Sequence, residues 1–109
     1  MADSFKVLGQ TKPAATTLTD HYTVPAATQT TVSSLMVCNQ GTTSTNFRVS
    51  IAIAGAVDAL TQYIYYDSAI QGNDSLALSL GITLAATDKI RVYSGSGSVS
   101  FVGFGVEIA

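Results

Sequence analysis

Apolar and polar residues alternate with a period of two along residues 46–54. Phe47, Val49, Ile51 and Ile53 fall on one parity, and polar or small residues separate them. A strand places alternate side chains on opposite faces, whereas a helix would scatter these four around its circumference. Val and Ile also fit a pleated surface better than a helical turn. The segment is therefore predicted to be a strand with one face on a core.

Further extended segments, each bounded by turn residues, recur along the chain. A helix over 75–86 is disfavoured by Gly81 and by the extended spacing that resumes after it. Short strands with turns every 8 to 12 residues are typical of an all-β, two-layer antiparallel sandwich. We predict a jelly-roll-like sandwich of seven to eight strands. The other predicted strands are 16–24, 29–38, 60–66, 75–80, 89–93 and 99–108, and extended spacing resumes at 82–84.

The strand 29–38 has a mixed pattern. Val32, Met36 and Cys38 lie on one parity, while Leu35 and Val37 lie on the other. Either both faces of a central strand are covered, or a bulge shifts the register partway along. Cys38, the only cysteine, cannot form an intrachain disulfide and is predicted to be a small buried hydrophobic residue.

Residues 1–15 form a candidate N-terminal arm in front of a single sandwich domain at 16–109. The arm carries the apolar residues Phe5, Val7 and Leu8, so it is not expected to float free in solvent. It either pairs with its own sheet as an edge strand or reaches onto a neighbouring subunit.

The composition favours a surface that neighbours can cover. Only 11% of the 109 residues are charged, and the net charge is -2. Few charges would lose water on association, which favours burial of the exterior against a partner. Nucleic acid is not expected as a partner because basic residues are few and scattered. No apolar run is long enough to span a membrane, and no secretory signal is visible, so synthesis in a cytoplasm is expected.

Candidate catalytic and ligand-binding groups are sparse. His21 has no recognisable nucleophile and is predicted to be a surface or edge-strand residue. The loop 94–98 opens a strand and contains no lysine, which indicates a hairpin turn rather than a phosphate loop. We therefore predict no enzyme activity, no cofactor and no metal. The acidic residues that lie in predicted turns, without the spacing of a calcium loop, are Asp58, Asp67, Asp74 and Asp88.

Two groups of residues leave alternatives open. Tyr63, Tyr65 and Tyr66 could pack within the sheet, meet another subunit or stack on a sugar. Gly103 and Gly105 interrupt the last strand, which suits the close approach of a large side chain or another backbone.

Several segments resemble those of small virion proteins of tailed bacteriophages. They are 22–26 (YTVPA), 32–39 (VSSLMVCN), 47–49 (FRV), 63–67 (YIYYD), 73–74 (ND) and 81–84 (GITL). The resemblance implies a capsid cement or decoration protein, which binds the assembled shell, bridges capsomers and remains in the virion after synthesis in the host cytoplasm. The expected partner is the major capsid protein or another virion protein.

The resemblance also implies a homo-oligomer, with a trimer at a threefold position favoured. The residues expected at the partner interface are Phe5, Lys6, Val7, Leu8, Tyr63 and Tyr65. Some phage sandwiches serve instead in tails or fibres. The alternative hypothesis is therefore a tail- or fibre-associated carbohydrate-binding module, in which exposed, coplanar tyrosine rings would stack on a sugar.

Overall fold

The computed structural model describes residues 3–109, which form two four-stranded antiparallel sheets packed as a sandwich. The all-β prediction is confirmed, with eight strands. Two short 3₁₀ turns, at Ile53–Gly55 and Leu60–Gln62, lie between the fourth and fifth strands. The strands are β1 (Asp3–Thr11), β2 (Thr19–Thr23), β3 (Gln29–Asn39), β4 (Thr45–Ala52), β5 (Tyr63–Ile70), β6 (Ser75–Leu84), β7 (Lys89–Ser94) and β8 (Val99–Ile108).

The strand order is that of a jelly roll. The first sheet has the order β1-β8-β3-β6, and the second has the order β2-β7-β4-β5. The pairs β1–β8, β2–β7, β3–β6 and β4–β5 are all antiparallel. The first strand thus pairs with the last, the second with the last but one, and so on to the adjacent pair β4 and β5. The chain behaves as one long hairpin rolled into two layers, in which both ends of the chain are needed to complete the first sheet.

Residues 3–11 of the predicted arm form the edge strand of the first sheet. Asp3 lies opposite Ile108, and Thr11 lies opposite Phe101. The sequence left two alternatives for the arm, and in the structure it pairs with its own sheet. Among residues 3–109, no strand of the sheet lies beside the outer backbone edge of β1.

A bulge in β3 explains its mixed pattern. The register against both β6 and β8 shifts between Val32 and Ser34. Val32 is buried before the shift, and Leu35 is buried after it, so the inward parity changes at the bulge. Cys38 consequently falls on the outward parity and is only half-buried, and the prediction that it is a buried core residue was wrong.

The alternation predicted for 46–54 is confirmed as far as the strand extends. Phe47 and Val49 are buried, and Ile51 lies opposite the buried Ile90 and packs against the core; Ser50 and Ala52, on the other parity, are buried as well. The strand ends at Ala52, and Ile53 lies in a 3₁₀ turn with 74% of its surface exposed. Ile53 is therefore not a core residue.

The core fills the space between the two sheets. The rings of Phe47 and Phe101 meet edge to face across it, with centroids 6.2 Å apart. Half-buried side chains of β6, including Leu76 and Leu80, pack against its margin. The buried apolar residues of this cluster are Tyr22, Val24, Val32, Leu35, Val37, Phe47, Val49, Ile70, Leu78, Leu84, Ile90, Val92, Val99 and Phe101.

Asn39 joins the three hairpin connections at one end of the sandwich. Its side-chain amide donates to the carbonyl oxygens of Thr43 (3.0 Å) and Gln71 (3.2 Å). Its side-chain oxygen accepts hydrogen bonds from the Gly41 N–H (3.0 Å) and the Ser98 hydroxyl (2.8 Å). Asn39 is 1% exposed, so water cannot replace these four bonds.

We expect Asn39→Ala to lower the free energy of unfolding by about 3 kcal/mol, because it leaves several polar groups without partners at a buried site. Urea denaturation followed by circular dichroism measures this loss. Gln40→Ala is the matched control, since the neighbouring amide is exposed and donates a single hydrogen bond, to Ser100. Equal effects of the two substitutions would contradict the role of Asn39.

Candidate functional site

The outer face of the first sheet is almost free of charge. Asp3, at the start of β1, is the one charged residue of outward parity among the strands of this sheet, over residues 3–109. Large apolar side chains are exposed between hydroxyl-bearing ones. The other outward residues are Phe5, Val7, Gln10, Gln29, Thr31, Ser34, Met36, Cys38, Ser75, Ala77, Ser79, Thr83, Ser100, Val102, Phe104, Val106 and Ile108.

The outer face of the second sheet carries ion pairs instead. Asp20 accepts hydrogen bonds from Lys89 (2.9 Å) and Arg91 (3.1 Å), and Arg48 donates to Asp67 at 2.6 Å. The hydrogen bond from Lys89 is the main reason why the pKa of Asp20 lies below its usual value. The two outer faces of the sandwich therefore differ strongly in chemistry.

Arg48 organises the aromatic residues of the second sheet. Its guanidinium group lies 4.2 Å from the ring centre of Tyr66 and 4.3 Å from that of Tyr93, which places it between two cation–π partners. The ring of Tyr63 meets that of Tyr66 edge to face, with an interplanar angle of 84°. Burial and the neighbouring Asp58 raise the pKa of Tyr63. These tyrosines, of which Tyr66 is exposed and Tyr63 and Tyr93 are half-buried, thus form a cluster around a cation and not a flat stacking platform.

Tyr65, the other predicted interface tyrosine, points toward the core. It is half-buried, and its ring centre lies 5.9 Å from that of Phe47. Of the three alternatives given for the tyrosines, packing within the sheet agrees with the position of Tyr65.

The predicted interface residues of the arm divide between two faces. Phe5 and Val7 point outward and are 82% and 47% exposed, whereas Leu8 packs toward the core. Lys6 points toward the rim between the sheets, where it forms an ion pair with Glu107 at 2.8 Å. This ion pair is the main cause of a lowered pKa at Glu107. The structure therefore brings Phe5 and Val7 together but places the tyrosines on the other sheet.

A shallow groove of about 380 Å³ crosses the outer face of the first sheet. Close backbone packing at Gly105 helps to shape it, since a Cβ atom at this position would overlap the carbonyl oxygen of Thr31. This agrees with the close backbone approach that the sequence suggested for Gly105. The groove is lined by Phe5, Lys6, Thr31, Ser33, Phe104, Gly105 and Val106.

The loop between β4 and β5, residues 53–62, exposes three large aliphatic side chains. Ile53, Val57 and Leu60 are 74%, 88% and 77% exposed. Sequence reasoning missed this feature because it assigned Ile53 to the core and Leu60 to the start of a strand. The local signal that could have found it is the run of small residues with a glycine at 54–56, which is poor strand sequence.

Polar contacts hold this loop against the body of the protein. Arg91 donates to the carbonyl oxygens of Gly55 (3.2 Å) and Ala56 (2.7 Å). The buried carboxylate of Asp88 accepts the N–H of Ala54 at 2.8 Å. Ala54 has a φ of 54°, an uncommon conformation for a residue with a Cβ atom, and the bond to Asp88 supports it. The exposed aliphatic residues therefore project from an anchored loop.

His21 lies in the edge strand β2, one of the two predicted positions, but it is buried and is not a surface residue. The facing glycines Gly9 and Gly103 make room for its ring, and a Cβ atom at Gly103 would lie 2.7 Å from Nε2. Nδ1 lies 2.9 Å from the hydroxyl of Thr11, and Nε2 has no hydrogen-bond partner among residues 3–109. Burial lowers the pKa of His21 from 6.5 to about 4.

The depressed pKa of His21 predicts a loss of stability in mild acid. Between pH 6.5 and 4 the unfolded chain binds a proton at this residue and the folded protein does not. The stabilising contribution is therefore complete above pH 6.5 and declines by about 3 kcal/mol as the pH falls to 4. Urea midpoints measured across this range test the effect.

The matched variant for this test is His21→Gln, which keeps a polar side chain but does not titrate. We expect its stability to change much less between pH 6.5 and 4.5. Lowered carboxylate pKa values, such as that of Asp20, act at more acidic pH and are present in both proteins. A variant that loses as much stability as the natural protein in this window would contradict the assignment to His21.

Comparison of the sequence with protein-family models and with curated proteins finds no match. Over residues 3–109, no three His, Cys, Asp or Glu side chains are grouped so that they could hold a metal ion. In the same part of the chain, no helix has the length and apolar character needed to cross a membrane. The geometry of the two outer faces and of the anchored loop is the structural basis for a functional proposal.

Proposed function

We propose that the protein is a non-enzymatic structural component of a tailed-phage virion, a cement protein that binds the assembled capsid shell and bridges capsomers. The observation that carries this proposal is the nearly uncharged outer face of the first sheet, with exposed apolar residues such as Phe5 and Val7. The resemblance of several segments to small phage virion proteins supports the same function.

The chemistry of this face suits a contact with a large protein surface. Burial of apolar area is favourable by roughly 25 cal/mol per Å², and hydroxyl groups lose less on leaving water than charges do. The cores of protein interfaces are depleted in charged residues and enriched in aromatic residues and methionine. Phe104 and Met36, both on this face, belong to these enriched types.

Binding to the assembled shell would stabilise it by mass action. A ligand that binds the assembled state, and not its dissociated parts, shifts the equilibrium toward assembly. A sandwich whose strands are fixed by many long-range pairings can do this with little reorganisation, which keeps the cost of binding low.

The carbohydrate-binding alternative gains no specific support from the tyrosine geometry. A sugar-stacking site would present a flat aromatic surface, but Tyr63 and Tyr66 meet at 84°. The Arg48 guanidinium also already lies over the rings of Tyr66 and Tyr93 and is bonded to Asp67.

The test of shell binding is the occupancy of virions by variants with one changed face. Val7→Asp places a charge on the first outer face, and Ile64→Asp is the matched control, since Ile64 is exposed on the other sheet to a similar extent, 44% against 47%. We expect Val7→Asp to reduce occupancy at least tenfold, which corresponds to about 1.4 kcal/mol. Occupancy is measured by quantitative mass spectrometry of purified particles, and particle stability by the temperature of DNA release.

A point substitution is preferable to removal of the N-terminal segment because β1 is a strand of the sandwich. Unchanged occupancy with Val7→Asp, together with a loss in Ile64→Asp, would assign binding to the other face. Absence of the natural protein from purified particles would contradict the virion proposal itself.

A further inference from the structure

The strand β6 is an outer edge of the first sheet, and no other strand of residues 3–109 lies beside its free side. Its first half, Ser75–Ser79, pairs residue by residue with β3 before the register shifts at 80–81. The whole strand contains no charged residue and no proline. A regular, uncharged edge of this kind accepts a further strand readily.

The other three edges of the sandwich, within the same residues, are protected against strand addition. β1 carries Asp3 and Lys6 and is broken by a bulge. β2 is five residues long. β5 pairs irregularly with β4, and its Asp67 has a φ of 53°. Charges, short strands and bulges are the means by which proteins keep free edges unpaired, so β6 is the exception.

The directions of the backbone groups in β6 show what its edge can bind. The N–H of Asn39 donates to the carbonyl oxygen of Asp74 at 2.9 Å, and the regular pairing continues from there. Successive residues of an antiparallel strand direct their backbone groups alternately toward and away from the neighbour. The groups of Ser75, Ala77 and Ser79 therefore point away from β3. Donors and acceptors at this spacing fit an extended polypeptide.

The side chains beside this edge indicate the composition of such a polypeptide. Leu76 and Leu80 face inward at the margin of the core and are only half-buried. An added strand would place every second side chain over them, where apolar residues gain roughly 25 cal/mol per Å² of buried area. Its other side chains would extend the nearly uncharged outer face.

A second copy of β6 suits this edge less well. Two copies aligned over the whole regular run would pair about a twofold axis at Ala77, with Ser75 opposite Ser79. Each Ser75 N–H would then have to leave the carboxylate of Asp74, to which it donates at 2.8 Å. A segment of a different protein can pair with Ala77 and Ser79 alone, and this bond then remains.

We infer that β6 binds an extended segment of a partner protein as a fifth strand of the first sheet. For the identity of the partner this inference rests on the proposed function, which makes the shell protein the source of the segment. Main-chain hydrogen bonds supply the affinity of strand addition, and alternate side chains supply its specificity. Because β6 belongs to the first sheet, the added strand would adjoin the outer face that is proposed to contact the shell.

The first experiment measures the occupancy of purified particles by Ala77→Pro. This substitution removes an N–H that points away from β3, and an edge strand tolerates proline at such a position. We expect occupancy to fall at least tenfold.

Ala69→Pro is the matched control at the edge of the second sheet. Ala69 lies opposite Asn46, whose carbonyl oxygen accepts the N–H of Gly95 on the other side, so the N–H of Ala69 also points outward. Both alanines are exposed. We expect unchanged occupancy for Ala69→Pro, and urea denaturation establishes that both variants are folded.

The second experiment needs no substitution. Hydrogen exchange is compared between the free natural protein and the protein in particles, by mass spectrometry of peptic fragments. We expect the amides of Ala77 and Ser79 to exchange at least tenfold more slowly in particles, and the amide of Ala69 to exchange at the same rate in both.

The outcomes separate this inference from the proposed function. If the natural protein is present in particles but a folded Ala77→Pro binds equally well, or the amides of Ala77 and Ser79 stay unprotected, strand addition is overturned and shell binding remains. Absence of the natural protein from particles overturns the proposed function and, with it, the shell segment as the added strand. Protection of the same amides in the purified protein, together with a doubled mass, would make a second copy the occupant and overturn the inferred partner.

Discussion

The requirement that every strand turn its apolar residues into one shared interior determines the rest of this structure. A strand has a strict period of two, so a slip of one residue would move all its inward side chains to the outside. The protein meets this requirement by changing register within strands. The bulge near Ser33 brings both Val32 and Leu35 into the core, and β6 is irregular at the same level, where Gly81 has a φ of 59°. Without the shift in β3, one part of that strand would turn its apolar residues away from the core.

Once the interior is fixed, the remaining residues define two unlike exteriors. Ion pairs at the surface contribute little to stability, typically 0–1 kcal/mol. The pairs of Asp20 and Arg48 on the second sheet are therefore better understood as charges that satisfy one another than as the source of the fold. The first sheet lacks such pairs on its outer face. This difference makes the first outer face the less costly one to remove from water.

The sequence was sufficient for the class of fold because that depends on local periodicity and turns. Ile90 and Val92, for example, alternate with polar residues and are buried as the pattern predicts. The predictions that were wrong concern residues whose position depends on pairing between distant segments. Ile53 lies outside the core because β4 ends at Ala52, where its pairing with β7 stops, and the end of a strand depends on its partner as well as on its own sequence.

The burial of His21 could not be predicted for the same reason, because it depends on segments that are distant in sequence. Its burial requires Gly9 and Gly103, which are far apart in sequence but face each other across β1 and β8. A glycine in a strand indicates a close approach but does not identify the group that approaches. The exposed groove was unpredictable for a similar reason, since Phe5 and Phe104 become neighbours only through the pairing of the first and last strands.

Charged residues on the outer face of the second sheet hold the β4–β5 loop in place. Arg91 donates from Nε to Asp20, and its two other nitrogens reach the carbonyl oxygens of Gly55 and Ala56. The guanidinium group thus connects the ion-pair cluster of the sheet to the backbone of the loop. A planar group with five donors in fixed directions can make these bonds at once, which a lysine could not. The polar residues of one sheet therefore position the exposed apolar residues of the loop.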